Sequence, residues 1–473
     1  MLCFAFAACG ESKNSRGGSA NIDIADADEP LGLPENDFGG AEFRILSAGN
    51  QAQNDFDFKE ESSLALDNAQ YKRKIAVEET YNVVIFEDIE TGYSSASSGK
   101  PGPGYNAVNT AVASGSANYD LCLIAGYDVS QLASIGYLDD MNAIEYIDLS
   151  KSWWDKNATD SLSINGVVFF TTGEITVSDN RTAFCLMFNK RLLSEYGLQS
   201  PYELVNDGTW TIENFGKLCK TVSEDLNNDG IYDINDRFGL LVWDDSIVGM
   251  VNAAGQRCCT INDQGEIELT FYNENTLDAL TQYSEIAYDK QYAITYQRYS
   301  GVSGSTLWQN DQGLFATSLV GSMPSYREME SDFGILPYPK LNVAQENYYT
   351  TIAPYNSQFI CVPYYVNDIE MTGFITEALA FYGKHIVTPA LYDVTLIGQS
   401  ARDAESEEML DIIFDNLVYD IGFYYQIGTY NKQLIVMLRN FNSNFTSMYD
   451  TYKSTAETSI KKINNSYAST MGK

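Results

Sequence analysis

The chain has 473 residues, of which 29 are Lys or Arg and 64 are Asp or Glu, so its formal net charge is −35. This excess of acid argues against nucleic acid as a partner, because phosphate binding requires clustered basic side chains. No segment beyond the N-terminus approaches the roughly 18 apolar residues that span a bilayer. A chain of this length usually exceeds one hydrophobic core, which predicts two domains.

The first residues resemble the end of a bacterial lipoprotein signal peptide. The segment 6–9, FAAC, places small residues before a cysteine, as in the lipobox at which such signals are cleaved and the cysteine is acylated. We therefore expect 1–9 to be a signal remnant and Cys9 to carry a lipid that anchors the protein to a membrane. The alternative is an apolar N-terminus with a chance cysteine. Residues 10–40 are polar and small, which predicts a flexible tether.

Strand and helix patterns alternate at the start of the folded region. An extended run at 41–50 precedes helical spacing over 64–81 and a strand-like run at 82–89. A Gly/Pro/Ser loop, a short helix beginning at Asn106 and an apolar strand at 119–126 follow. This alternation is typical of a parallel α/β sheet.

Strand patterns also flank a helical middle. Further strands are predicted at 165–172, 182–189, around Phe315, 333–339 and 356–366, and helices at 190–202, 211–224, 273–288 and 441–463. Because sheet patterns occur on both sides of the helices, we predict two lobes that the chain crosses more than once. The first lobe comprises 41–175 and 340–400, and the second comprises 176–339 and 401–473.

An acidic loop at 225–236 has the spacing of a twelve-residue calcium loop. Oxygen-bearing side chains occupy its positions one, three, five, nine and twelve, and Gly230 at position six permits the turn. The predicted Ca²⁺ ligands are the side chains of Asp225, Asn227, Asp229, Asp233 and Asp236 and the carbonyl of Ile231. With a single such loop, a structural role is expected; the alternative is an Asn/Asp-rich turn.

Aromatic residues make up 13% of the chain, and many stand beside polar residues or glycine, as Tyr127, Trp243 and Tyr355 do. Such a ring stacks on the apolar face of a sugar while its neighbours bind the hydroxyl groups, which favours carbohydrate as the ligand. Any single ring is more often part of a core. Catalytic motifs are weak: His385 is the only histidine, no GxSxG elbow is present, and a carboxylate pair rests on abundance alone. Six cysteines after residue 100 lie mostly in apolar runs and predict buried free thiols.

Five stretches together resemble the extracellular solute-binding proteins of family 1, which serve bacterial ABC transporters. They occur in matching order and spacing at 188–198 (FNKRLLSEYGL), 208–218 (GTWTIENFGKL), 236–240 (DRFGL), 332–340 (DFGILPYPK) and 391–414. The resemblance implies two α/β lobes of the periplasmic-binding-protein type, each a sheet flanked by helices, joined by hinge strands. It also implies closure over a ligand, and it supports the calcium loop.

Ligand contacts are expected where strands end and face the cleft that the resemblance implies. These positions follow from analogy and from residue chemistry, because no motif specifies them. They are Asn50, Tyr127, Asp128, Glu174, Asp179, Trp243, Asp244, Tyr326, Arg327, Tyr355 and Asn356.

The resemblance implies a lipid-anchored, monomeric protein at the extracellular face of the cell membrane, which carries no enzymatic activity. It would bind a small solute and deliver it to the permease subunits of an ABC importer. An oligosaccharide is the expected cargo, although similar folds bind glycerol phosphates, peptides and polyamines, and the net charge mildly disfavours an anion. A secreted carbohydrate-active enzyme and a non-transport glycan-binding surface protein are the alternatives.

Overall fold

The computed structural model describes residues 29–94, 100–391 and 403–470. The strands are β1 (Ala41–Gly49), β2 (Val83–Thr91), β3 (Leu121–Ala125), β4 (Phe184–Asn189), β5 (Ser223–Glu224), β6 (Arg237–Val242), β7 (Cys259–Ile261), β8 (Ile267–Leu269), β9 (Ala293–Thr295), β10 (Gly313–Leu319), β11 (Phe333–Leu336), β12 (Thr350–Thr351), β13 (Gln358–Cys361) and β14 (Leu417–Val418). Short β12 and β14 pair with each other, as do β7 and β8.

The helices are α1 (Ala65–Tyr81), α2 (Pro103–Ser114), α3 (Gly126–Ser134), α4 (Lys156–Leu162), α5 (Ser178–Thr182), α6 (Lys190–Glu195), α7 (Pro201–Asn206), α8 (Ile212–Cys219), α9 (Ser246–Ala253), α10 (Glu274–Ala287), α11 (Gly304–Gln309), α12 (Ile369–Tyr382), α13 (Thr388–Ala390), α14 (Ala404–Asp415), α15 (Ile421–Tyr424), α16 (Tyr430–Asn440) and α17 (Phe445–Thr470).

The first sheet has the strand order β13-β3-β1-β2, with β1, β2 and β3 parallel and β13 antiparallel. Side chains of β1 alternate between its two faces. Phe43 and Ile45 belong to a core shared with α1 and α12, whereas Leu46 and Ala48 face the core that contains residues of α2 and α3. The sheet is therefore covered by helices on both faces, as parallel sheets require.

The second sheet has the order β11-β4-β10-β6-β5, and β9 pairs with β6. Its central strands β6 and β10 are parallel, whereas β4 runs antiparallel to both of its neighbours. Every residue of β4 is buried, which matches its continuous apolar sequence. Two sheets flanked by helices confirm the predicted fold class.

The chain passes between the two sheets at 172–183 and again at 337–357. The C-terminal helices lie across both sides. In α17, Ser466 donates a hydrogen bond to the carbonyl of Ser134 in α3 (3.0 Å), and Asn464 bonds the backbone of Ile267 in β8 (3.0 and 3.1 Å). The predicted division into 41–175 with 340–400 and 176–339 with 401–473 stays a prediction.

The end of the predicted tether is part of the folded structure. Glu29 accepts hydrogen bonds from Ser152 and pairs with Lys151 at 3.1 Å, and the Phe38 ring packs edge-on against Phe374. The prediction of a flexible tether over 10–40 is therefore wrong for 29–40. Apolar side chains of this segment, Leu31, Leu33 and Phe38, pack against the core that includes α1 and α12. Cys9 and the rest of the predicted signal and tether lie outside the described residues. Within the described ranges, no helix is long and apolar enough to cross a membrane.

Several predicted elements differ from those of the structure. The strand predicted at 165–172 is wrong, because this segment forms only isolated bridges, at Val167 and Thr171. The predicted helix at 190–202 is two helices, α6 and α7, because Gly197 adopts φ +61° and Pro201 begins the second. The helix predicted at 441–463 is α17, which begins only at Phe445, because Phe441 adopts φ +53° at the end of α16. The six cysteines of the described residues are buried and free, as predicted.

Candidate functional site

Three adjoining chambers lie between the two sheets. The large chamber, of about 360 Å³, is lined by Tyr93, Ser94, Tyr127, Trp243, Asp244, Asp245, Gln297, Tyr355, Lys432, Ile435, Val436 and Arg439. The middle chamber, of about 200 Å³, shares Trp243 with it and includes Tyr296, Thr317, Ser318, Ser322 and Tyr326. The small chamber, of about 70 Å³, shares Leu319 and Ser322 with the middle one and includes Gln51, Gln53, Asp55, Arg181 and Gln358.

The position of the chambers follows from the direction of the strands. Tyr93 follows the carboxyl end of β2, Tyr127 that of β3, Trp243 that of β6 and Gln297 that of β9. In open α/β sheets, ligands bind in the crevice outside these carboxyl ends, where loops are free to diverge from a rigid scaffold. Both sheets point their carboxyl ends into one cleft.

Three of the predicted aromatic residues form one wall of the large chamber. The ring of Tyr355, in the second crossing segment, lies 6.5 Å from that of Tyr127 and 6.3 Å from that of Trp243. The Phe184 ring supports Trp243 from the second lobe at 5.0 Å. The Tyr127 hydroxyl accepts a hydrogen bond from Asn431, which fixes its orientation. The wall therefore joins residues of both lobes and of the crossing.

On the polar side of the large chamber, the negative charge of Asp244 is balanced by the positive charge of Arg439. Asp244 is 1% exposed and accepts hydrogen bonds from Gln297 (3.0 Å) and from the Arg439 guanidinium. Burial, followed by repulsion from Asp244, raises the pKa of Asp245 to about 8. This shift favours the protonated form of Asp245 beside Asp244 and so lowers the negative charge that the chamber presents to a ligand.

The middle chamber has a tyrosine-rich wall. Burial raises the pKa values of Tyr296 and Tyr326, so both remain O–H donors across the physiological range. Predicted Tyr326 thus lies in the cleft. Its neighbour Arg327 does not: its side chain is exposed, pairs with Glu328 at 3.3 Å, and lines none of the three chambers.

Three other predicted residues serve the framework around the cleft. Asn50 donates to the side-chain oxygen of Asn356 at 2.5 Å, which ties the loop after β1 to the second crossing. Asp128 is fully buried and accepts from the backbone N–H groups of Gly102 (2.8 Å) and Tyr105 (3.2 Å) at the start of α2. Its carboxylate thereby caps that helix.

Predicted Glu174 and Asp179 lie in a separate acidic cavity of about 360 Å³, beside Asp155. Burial raises the pKa of Asp179 to about 8, and the charge of Asp155 adds to the shift. Burial also raises the pKa of Glu174, which accepts a hydrogen bond from Thr388. These carboxyls are therefore not brought together with the aromatic wall.

Helix α16 is the largest part of the site that sequence reasoning missed. It supplies Lys432, Ile435, Val436 and Arg439 to the large chamber. Their spacing of three, four and seven residues places them on one helical face, with basic residues framing apolar ones. That pattern was readable from the sequence, but nothing in it indicated that the face lines a cleft. Gln297 and Arg181 carried no such signal.

The predicted calcium ligands lie in a tight loop. Asp225 accepts from the backbone N–H groups of Asp229 (3.2 Å) and Gly230 (2.8 Å), and Gly230 adopts φ +80°. Asp236 is fully buried and accepts from the N–H groups of Leu226 and Asp233. The oxygen donors suit Ca²⁺ in kind. However, the described part of the chain contains no group of three or more His, Cys, Asp or Glu side chains that could hold a metal, so calcium binding stays a prediction.

Solved structures with a similar fold are numerous, although neither a protein-family model nor a curated protein matches the sequence. The chain is similar to the galacto-N-biose/lacto-N-biose I-binding protein of an ABC transporter from Bifidobacterium longum, with a TM-score of 0.61 and 10% identity over 90% of this chain and 99% of the other. The fold is that of ABC-transporter solute-binding proteins.

Two further structures agree. An ABC substrate-binding protein from Listeria monocytogenes, in complex with cycloalternan, gives a TM-score of 0.55 at 13% identity over 91% of this chain and 99% of that one. A cyclic alpha-maltosyl-1,6-maltose binding protein from Arthrobacter globiformis gives 0.56 at 14% identity over 89% and 100%. At these identities the comparisons establish the fold, and the predicted resemblance is confirmed at that level.

Proposed function

We propose that the protein is the extracellular solute-binding component of an ABC importer, and that it captures an oligosaccharide between its lobes for delivery to a membrane permease. One observation carries the proposal: an aromatic wall of Tyr127, Trp243 and Tyr355 faces a polar side that includes Asp244 and Asp245 in the cleft. Flat rings suit the apolar faces of sugars, and neutral or compensated carboxyls suit their hydroxyls. The proteins of similar fold named above include ones described as binding oligosaccharides.

Capture involves closure rather than chemistry. Because the wall and the polar side come from both lobes and from the crossing segment at 337–357, a ligand in the cleft makes more contacts when the lobes are shut. Ligand then selects the closed state in proportion to that difference in affinity. The permease would recognise the closed form, and the predicted lipid at Cys9 would keep it near the membrane.

The test is a thermal-shift and calorimetric screen of mono- and oligosaccharides, with each mixture analysed afterwards by chromatography. Binding without any change in the saccharide supports the proposal, since a ligand of the folded state raises the melting temperature. Hydrolysed products would support the enzyme instead. A shift with peptides or polyamines and none with saccharides would reject the carbohydrate assignment.

Calcium belongs to the proposal as a structural ion of the loop at 225–236. The regular spacing of oxygen side chains and the positive φ of Gly230 support it. In the absence of a cation, the clustered carboxylates would repel one another, so an ion would stabilise this surface loop beside β6.

A further inference from the structure

The small chamber contains a cation with no partner. Arg181 belongs to α5, is partly buried, and forms no ion pair or side-chain hydrogen bond with any described residue. Every other arginine in the described ranges has such a partner, either a carboxylate or a backbone carbonyl. A partly desolvated guanidinium without a partner is costly, which indicates a site for an anion.

The neighbours of Arg181 are hydrogen-bond donors with free capacity. The side chains of Gln51 and Ser322 form no hydrogen bond with the described residues. The one carboxylate in the lining, Asp55, already accepts hydrogen bonds from Gln70 (2.8 Å) and Gln53 (3.3 Å). The chamber therefore offers a positive charge and unused donors, and its one carboxylate already accepts hydrogen bonds from the protein.

The chamber is assembled from three parts of the fold that must remain in register. The loop after β1 brings Gln51, α5 in the first crossing brings Arg181, and the turn after β10 brings Ser322. Gly321 permits the close approach of that turn, because a Cβ there would lie 2.7 Å from the Arg181 carbonyl oxygen and 3.0 Å from its Cβ. A group bound here contacts both lobes and so favours closure.

We propose that the small chamber binds the carboxylate of an acidic saccharide, with Arg181 as the residue that selects it. This inference rests on the proposed function. A volume of about 70 Å³ admits a small planar group, and the guanidinium fork matches a carboxylate through two parallel hydrogen bonds. The sugar ring that carries it lies in the middle chamber, which shares Leu319 and Ser322 with the small one. The negative net charge of the chain does not prevent this, because the local cation decides the contact.

The experiment compares matched ligands on three proteins by isothermal titration calorimetry. The probes are oligosaccharides ending in glucuronate or galacturonate, their methyl esters, the neutral parents, and sugars bearing phosphate or sulfate. The proteins are the wild type, Arg181→Gln, and Arg327→Gln as a control that removes an exposed arginine outside the chambers. Melting curves of the unliganded variants are recorded in parallel.

We expect one acid to bind the wild type about tenfold to a hundredfold more tightly than its ester, because a charged hydrogen bond is replaced by a weaker one. Arg181→Gln should reduce that ratio to near one by weakening acid binding far more than ester binding, and Arg327→Gln should preserve it. Since Arg181 has no partner, its replacement should not lower the melting temperature.

Four outcomes would overturn the inference. Equal binding of acids, esters and neutral parents to the wild type would do so and would leave the proposed function standing. An unchanged ratio in Arg181→Gln, a fall of several degrees in its melting temperature, or a preference for phosphate or sulfate over carboxylate would each remove the assignment. If no saccharide of any kind binds, the proposed function itself fails.

Discussion

Asp179 gives a prediction that the structure makes quantitative. This side chain, 3% exposed, lies in the first crossing segment, where it accepts a hydrogen bond from Thr172 at 3.1 Å. Its pKa is raised from 3.8 to about 8 by burial and then by the charge of Asp155. The perturbation is Asp179→Asn, which keeps an amide of the same shape in place of the protonated acid and removes the titration.

The direction of the effect follows from proton linkage. Between pH 4 and pH 8 the folded state holds a proton at Asp179 that the unfolded state has lost, so the stability gained from this group falls as pH rises. The slope is ~1.4 kcal/mol per pH unit below the folded pKa. From pH 5 to pH 7 the wild type should therefore lose on the order of 2–3 kcal/mol of unfolding free energy that the Asn variant retains.

The assay is urea unfolding followed by tryptophan fluorescence at pH 5, 6, 7 and 8. The other raised carboxyls, Asp245 and Glu87 among them, are present in both proteins and cancel in the difference. Asp263→Asn, an exposed position, is the matched control and should run parallel to the wild type. Parallel curves for the wild type and Asp179→Asn over this range would refute the reasoning.

Three further predictions concern the wall, the loop and a buried glutamate. Trp243→Ala should weaken saccharide binding about tenfold to a hundredfold in calorimetry, because it removes a face of the aromatic wall; an unchanged Kd would exclude that role. A chelator should lower the melting temperature of the wild type, and Asp236→Asn should lower it and abolish the response to calcium. A melting temperature that changes with neither calcium nor chelator would contradict calcium binding by the loop. Glu377 accepts hydrogen bonds from the buried indole N–H groups of Trp153 and Trp154, each at 3.0 Å. Glu377→Gln should therefore lower the free energy of unfolding in urea by ~1–3 kcal/mol, because one indole N–H loses its acceptor. The exposed control is Glu268→Gln, and a loss in Glu377→Gln smaller than the loss in this control would contradict the prediction.

The chemistry of single positions was readable from the sequence. Periodicity located the strands of the first sheet and β4, β10 and β11 of the second, because burial on one or two faces fixes the spacing of apolar residues. It missed β5, β6 and β9 of the second sheet. The aromatic residues flanked by polar neighbours, Tyr127, Trp243 and Tyr355, were selected on residue chemistry, and all three line the large chamber. Local turn chemistry was missed at Gly197, whose positive φ separates α6 from α7 within one predicted helix, and at Phe441, whose positive φ excludes it from the helix it was predicted to begin.

The partners of each side chain were decided only by the tertiary structure. Asp128 and Asp244 are both acids beside aromatic residues in the sequence, yet one caps α2 and the other faces the cleft, because the loops that meet them come from distant parts of the chain. Arg439 reaches the cleft from the C-terminal helices, 195 residues from its partner Asp244. A net charge of −35 describes the whole chain. That Arg181 has no ion-pair partner among the described residues depends instead on which side chains the fold places around it. Composition argued against nucleic acid as a partner. Long-range packing determined which charged side chains face the cleft, because contacts between distant segments leave no local pattern in a sequence.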